Sequence, residues 1–468
     1  MNAREKIALL LLIALHLSIN IPLLGHLTID LDEPFSIFHA QHSPDELFGL
    51  FRNENNPPLH FVLLHFWIKL FGIGPEAVRS LSLLFSMLTI PVLYRIGKRF
   101  VNHTGAIILP VLFIFSDFHH YYALEARSYS LLVLEFSVLL FYILKVLLEG
   151  GTRKDFLLIG LLNALLFYTH YISLYFFPAE ALVFLVFSRQ LQLRRLAIAL
   201  ASFTVCVIPW LPVLLTRVKT VSSGGTWVPK PQFSELYGFV NKFFNDKWAL
   251  LALVASLTIL LLLNRRELAS VLFGNRKKII VAALLFGIAY VGAFAVSLKF
   301  SSIFLDRYLF FLTIPLFFLV AVMFSCFRFG SIVFTAFLAI YLLRFDLYPE
   351  NNRNSAQIAS DAQQVRPSKI FIAPNYYDLA FLYHYNKRIF TAPDEQTFRK
   401  MEKEAGIIPV YPTDKKVFTG NSESILLITG KDAGAARTKL EEQLEAAYEV
   451  KNRNVYPGGY ETVLFIRR

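Results

Sequence analysis

Ionisable side chains are sparse in this chain and fall into a few tight groups. The stretch LTIDLDEPFSIF (27–38) carries Asp30, Asp32 and Glu33. SDFHHYYALEARSY (116–129) carries His119, His120, Glu125 and Arg127, and THYISLY (169–175) carries His170 and Tyr171. SLKFSSIFLDRYLF (297–310) carries Lys299, Asp306, Arg307 and Tyr308. A carboxylate suits the removal of a proton from a hydroxyl nucleophile. An arginine suits phosphate, because its planar fork donates two parallel hydrogen bonds. Together the groups describe a base and a phosphate clamp. Taken singly, each has a plainer account: a loop carboxylate is a solvated turn, and Arg307 is an interfacial anchor with its charge drawn to water. His119, His120 and His170 are candidates for a divalent ion, but their spacing is no recognised ligand set, and we assign no metal ligand.

The elements that must carry these groups are membrane helices. Of 468 residues, 55% are hydrophobic and 17% charged, where a soluble chain has about a quarter charged. Mean hydropathy is +0.51. The net charge of +12 does not argue for nucleic acid, since basic residues collect in the cytoplasmic turns of membrane proteins. Cys206 and Cys326 each lie in an apolar run and suggest neither a metal site nor a disulfide. The first helix lacks a small-x-small cleavage site and reads as retained. Spans are expected at 7–28, 77–95, 104–118, 129–148, 156–170, 172–188, 196–214, 247–264, 279–298, 308–325 and 330–345.

Basic residues supply an independent check. With Arg4 and Lys6 inside, the expected inner turns carry Arg95, Lys98 and Arg99, then Arg153 and Lys154, then Arg189, Arg194 and Arg195. Arg265, Arg266, Arg276, Lys277, Lys278 and Arg328 continue the pattern. The phase holds only if PPLHFVLLHFWIKLFG (57–72), with His60, His65 and Lys69, lies along the outer surface without crossing. That gives eleven spans and puts all the groups above on the outer face. Ionisable groups at membrane depth are costly, so their convergence there marks function. Residues 1–345 form the membrane domain, with a first outer loop at 29–76, and 346–468 form a small extracytoplasmic α/β domain. In the latter, SKIFIAP, ESILLITG and GYETVLFIRR read as strands, and DEQTFRKMEKEAG and GAARTKLEEQLEAAYE as helices.

The order DE, NNPPLHFVLLHFW…LFG, EARSYSLL, TWVPKP and RYLFFLTIP resembles the dolichyl-phosphate-mannose–protein mannosyltransferases and their bacterial relatives, which include lipid A aminoarabinose transferases. The resemblance covers roughly residues 1–345. It implies the C-type membrane glycosyltransferase fold and a polyprenyl-phosphate sugar donor. It also implies an inverting transfer, hexosyl or pentosyl, to a lipid, glycan or protein hydroxyl on the outer face of the cell membrane. It places the catalytic acid of the first loop at Asp32, with Glu33 beside it. The donor phosphate falls to Arg127, Arg307 and Tyr308, with Lys299. Asn56 stands where the family usually has His before two prolines. His60, His119, His120, Glu125, His170 and Tyr171 are the remaining candidates for substrate contact. Rival readings are a flippase of polyprenyl-linked sugars, a surface-polysaccharide polymerase or ligase, and a structural subunit. A transporter would favour broken, repeated helices with polar groups at mid-bilayer, and no internal repeat is present.

Overall fold

The computed structural model describes residues 2–52, 54, 56–187, 192–224, 228–411, 422–430 and 434–468. Asn55 of the NNPPL motif, Thr226 and Trp227 of TWVPKP, and Arg189 lie outside the described residues. The chain divides into two compact units. A membrane unit comprises Met1–Pro22, Phe48–His60 and Arg79–Tyr348; a sheet unit comprises Leu23–Leu47, Phe61–Val78 and Pro349–Arg468.

Six helices among the described residues are long and apolar enough to cross a bilayer: Ala3–Leu23, Pro75–Phe100, Tyr129–Glu149, Leu193–Arg217, Leu268–Lys299 and Asp306–Cys326. The count rises to eight if the bent pairs Gly105–Ile114 with Asp117–Ala123 and Phe233–Phe243 with Lys247–Leu263 are each one span. The chain is thus an integral membrane protein by composition and length of its helices. The expected count of eleven is not reached on this measure, for a physical reason. Arg153–Thr169 (17 residues), Tyr171–Val186 and Gly330–Leu343 are shorter than the roughly 20 residues that a 30 Å hydrocarbon core requires. The helix Leu59–Phe71 has 13 residues, about 20 Å at 1.5 Å per residue, and is likewise short of a span.

Two turns differ from expectation. The helix Leu268–Lys299 takes in Arg276, Lys277 and Lys278, which were expected in a turn. The polar stretch after Thr216, expected as loop, continues a helix from Leu211 to Gly224. In both places no proline interrupts the hydrogen-bond ladder where the break was expected.

Helix ends in the membrane unit are capped by local sequence. Asn2 accepts from the Glu5 N–H while Glu5 reaches back to the Asn2 N–H, and Thr152 and Asp155 repeat the arrangement. Close helix approach depends on glycine at two positions. A Cβ on Gly97 would lie 2.2 Å from the Gly105 carbonyl oxygen, and one on Gly160 would lie 2.1 Å from that of Ala199. The unit's core is aromatic, with Phe136 4.8 Å from Phe176 and 4.9 Å from Phe311, ring centre to ring centre.

The sheet unit holds five strands: β1 (Lys369–Ala373), β2 (Ile407–Pro409), β3 (Ser424–Thr429), β4 (Tyr448–Tyr456) and β5 (Tyr460–Arg467). Their order is β2-β1-β3-β5-β4. β1 runs parallel to β2 and β3, while β5 runs antiparallel to β3 and β4. β1 and β3 are almost wholly buried, as strands of Ile, Leu and Phe in the middle of a sheet should be. Helix Glu33–Ala40 from the first loop belongs to this unit, and Phe38 packs edge-on against Phe390 (5.8 Å) and at a tilt against Phe398 (4.6 Å).

Candidate active site

The three carboxylates of the first loop have different surroundings. Leu31 has φ +57°, so the chain turns sharply between Asp30 and Asp32 and aims their side chains apart. Asp30 is buried; its Oδ1 accepts from the Leu31 N–H at 2.7 Å and its Oδ2 from the Ser355 N–H at 3.0 Å. The neighbouring Ile29 carbonyl accepts from the Ser355 hydroxyl and from His384. Glu33 accepts from Arg353 Nη1 at 2.6 Å, and the two side chains are 0% and 4% exposed. Arg353 also donates to the Thr28 carbonyl at 3.1 Å. Asp32 opens the helix Glu33–Ala40 and is half-exposed. The sheet unit therefore fixes the two flanking carboxylates, while Asp32 between them is partly exposed.

In the membrane unit, four candidates come together. His170 ends the helix Arg153–Thr169, and its ring lies 5.1 Å from that of Tyr308 and 6.0 Å from that of Tyr129. The charges of Arg127 and Arg307 both act on the buried His170 ring. Burial, then the Arg127 charge, drives His60 to about 3. Arg127 is 9% exposed and sits in a tight turn, with its N–H donating to the Glu125 carbonyl at 2.8 Å and its carbonyl accepting from Ser82. Glu125 itself is buried in this turn. Arg307 lies with its Cζ 5.8 Å from the Tyr308 ring centre. The adjacent Asp306 is drawn off by Lys242 at 2.5 Å. Two arginines beside mostly buried aromatic and imidazole rings favour an anion such as phosphate.

Other candidates have local duties. His119 donates to or accepts from the Thr313 hydroxyl at 2.8 Å and packs among Phe113, Phe310 and Phe317. Both nitrogens of His120 are engaged, with Asn20 at 3.0 Å and the Leu347 carbonyl at 3.1 Å. These engagements tie three helical segments together. Among the described residues, no three His, Cys, Asp or Glu side chains are grouped to hold a metal ion. Lys299 is exposed at the end of its helix, and the Ser297 hydroxyl organises the turn that follows by accepting from the Ile303 and Phe304 N–H groups. The Tyr171 hydroxyl accepts from Trp210 at 2.7 Å. Asn56 is half-buried before the buried Pro57 and Pro58.

Several residues in these arrangements were not singled out by sequence. Arg353 and Ser355 look like members of a polar linker, NNRNS, and only the fold gives them Glu33 and Asp30. Arg79 is completely buried, one turn from Ser82, although its place at the start of an apolar run suggests an interfacial anchor.

Residues 55–215 match the model of the family described as dolichyl-phosphate-mannose-protein mannosyltransferase. The chain is also similar in structure to ArnT from Cupriavidus metallidurans. Against the apo state the TM-score is 0.57 at 14% identity, covering 97% of each chain. Against ArnT bound to undecaprenyl phosphate it is 0.56 at 15% identity, covering 99% of this chain and 98% of that one. Among curated protein sequences none matches the chain. At such identity the structural likeness is one of fold.

Proposed function

We propose that this chain, whose residues 55–215 match the model described as dolichyl-phosphate-mannose-protein mannosyltransferase and whose fold is like that of ArnT, transfers a sugar from a polyprenyl-phosphate donor to a hydroxyl acceptor. The observation that carries the proposal is the convergence of Arg127, Arg307 and Tyr308 on His170. ArnT, of the same fold, has been solved with undecaprenyl phosphate, which supports a lipid-linked phosphate as the ligand of this cluster.

Charge grows on the donor phosphate as the glycosidic bond breaks. Arg127 and Arg307, preorganised before the reaction, stabilise that charge more in the transition state than in the ground state. Asp32 takes the proton of the acceptor hydroxyl as it attacks the anomeric carbon, with inversion. Its half-exposed position at a helix start suits an acceptor that arrives from water. Glu33 acts through Arg353, holding the turn that aims Asp32. The reaction is assigned to the outer face of the cell membrane, a placement supported by the basic residues of the alternate turns. The acceptor class is a lipid, glycan or protein hydroxyl.

The test is transfer of label from polyprenyl-phosphate sugars to extracted envelope by purified protein in lipid, with the wild type beside Asp32→Asn. General-base catalysis is worth about 10²–10⁴-fold, so the variant should lose that factor while still binding donor. Turnover unchanged in Asp32→Asn removes the base assignment, and no transfer by the wild type with any such donor removes the reaction.

A further inference from the structure

A cavity of about 680 Å³ lies between the helices Ala3–Asn20 and Pro75–Phe100, lined by Leu9, Pro91, Tyr94, Arg95, Lys98 and Arg99. Both helices belong to the membrane unit and both are long and apolar enough to span. The cavity is apolar along one side and cationic at the end where Pro75–Phe100 finishes. Leu10 and Leu11, next to Leu9, are each 64% exposed, as expected of a face turned to acyl chains.

Its charges do not cancel. Lys98 is paired with Glu5, and Arg99 is held in a two-point contact by Glu149, at 2.9 and 2.6 Å. Among the described residues Arg95 has no ion pair; its guanidinium lies 6.0 Å from the Phe141 ring centre and is exposed. One unit of positive charge thus remains at the mouth of an apolar groove. Lys98 and Arg99 are 31% and 38% exposed and have donors to spare beyond their pairs.

We propose that this groove binds one monoanionic glycerophospholipid, with the phosphodiester against Arg95 and its acyl chains along Leu9 and Pro91. The charge of a phosphodiester matches the uncompensated cation, and the apolar wall matches the chains. A basic pocket between spans at the membrane surface is a physically sound lipid site. The site shares no residue with the Arg127–Arg307 cluster, and the proposal does not depend on the reaction assigned there.

The experiment counts lipids retained by the purified full chain in detergent, by native mass spectrometry. Phosphatidylglycerol is compared with phosphatidylcholine, which carries the same chains and no net charge. Phosphatidylglycerol should be retained in preference. Arg95→Gln should weaken its retention about fivefold, the share of one cation near an anionic headgroup, and Arg95→Lys should restore most of it. Leu9→Phe, which fills the apolar wall and leaves every charge in place, should also reduce retention. Inorganic phosphate at equal concentration should not displace the lipid. Equal retention of the two lipids, an Arg95→Gln variant that keeps the full preference, or displacement by inorganic phosphate would each overturn the proposal.

Discussion

Arg353 donates to Glu33 across 2.6 Å, with both side chains almost completely out of solvent. Removing one member of such a pair leaves a charge buried without its counterion, at a cost of about 3–5 kcal/mol. Glu33→Gln should therefore lower the unfolding temperature of the purified protein, and Arg353→Met should lower it by a similar amount. The double variant should recover part of the loss, because no lone charge remains. A Glu33→Gln protein as stable as the wild type but inactive in sugar transfer would instead give Glu33 a direct part in the chemistry.

Arg127 offers a test of geometry against charge. Lysine keeps the positive charge but not the planar fork. Arg127→Lys should weaken binding of a polyprenyl phosphate by the worth of one charge-assisted hydrogen bond, about 1.5–3 kcal/mol, and Arg127→Ala by more. Arg307→Lys should behave in the same way. Donor affinities equal to wild type in both Arg127 variants would take that residue out of the phosphate site.

His39 makes the sheet unit sensitive to acid. Burial, with the charges of His42 and Arg399 behind it, brings His39 from 6.5 down to about 3. The unfolded chain then takes up a proton that the folded chain refuses, so the stability in question is intact above about pH 6.5 and is lost as pH falls toward 3. His42 is shifted the same way by burial, opposed by Glu46, Glu395 and Asp394. Glu402, raised to about 7 by burial, works in the opposite direction, so the wild-type curve alone mixes the effects. Comparison with His39→Phe separates them, since a phenyl ring can occupy the place beside Phe35 and Phe38. The variant should gain on the wild type as pH is lowered from about 7 to about 5, by at most about 1.4 kcal/mol per pH unit. Parallel melting curves would exclude the contribution.

Orientation can be read with a single introduced thiol. Lys451 is exposed on the edge strand β4, whereas Ser422 in the same unit is buried and unsuitable for labelling. With the proposed topology, Lys451→Cys should react with a membrane-impermeant maleimide added to intact cells. Reaction only after the membrane is opened would reverse the assignment of faces.

The groups that carry charge at helix ends were legible in the sequence, because an apolar run makes every Arg, Asp and His inside or beside it conspicuous. That is how Asp32, Arg127, His170 and Arg307 became candidates. Partners 320 residues away in sequence were not legible, since nothing in NNRNS distinguishes Arg353 from a linker residue. β1, β3 and β5 announce themselves by continuous apolar residues. β4, with the sequence YEVKNRNVY, does not: it is an edge strand, largely exposed, and exposed edges favour charged and polar residues over any apolar period. β2 has three residues and is too short to give a pattern. The count of eleven spans is not confirmed for a related reason, as apolarity is visible in a sequence but the length of a straight helix is set by where it bends. The bonds of His119 to Thr313 and of His120 to Asn20 likewise needed three dimensions to appear.

The sheet unit is assembled from three stretches of chain, the first beginning at Leu23 and the last at Pro349. During synthesis the Asp32 turn leaves the ribosome long before Arg353 and Ser355 exist to hold it. At about 5–20 residues per second that interval is roughly 15–60 s. For that time Glu33 has no counterion from Arg353 and the turn has no fixed form. A chain interrupted between Tyr308 and Arg353 would hold the Arg127 and Arg307 segments in full and still lack the partner of Glu33. The hydrogen bonds that hold Asp30 and Glu33 thus form only on molecules completed through Ser355.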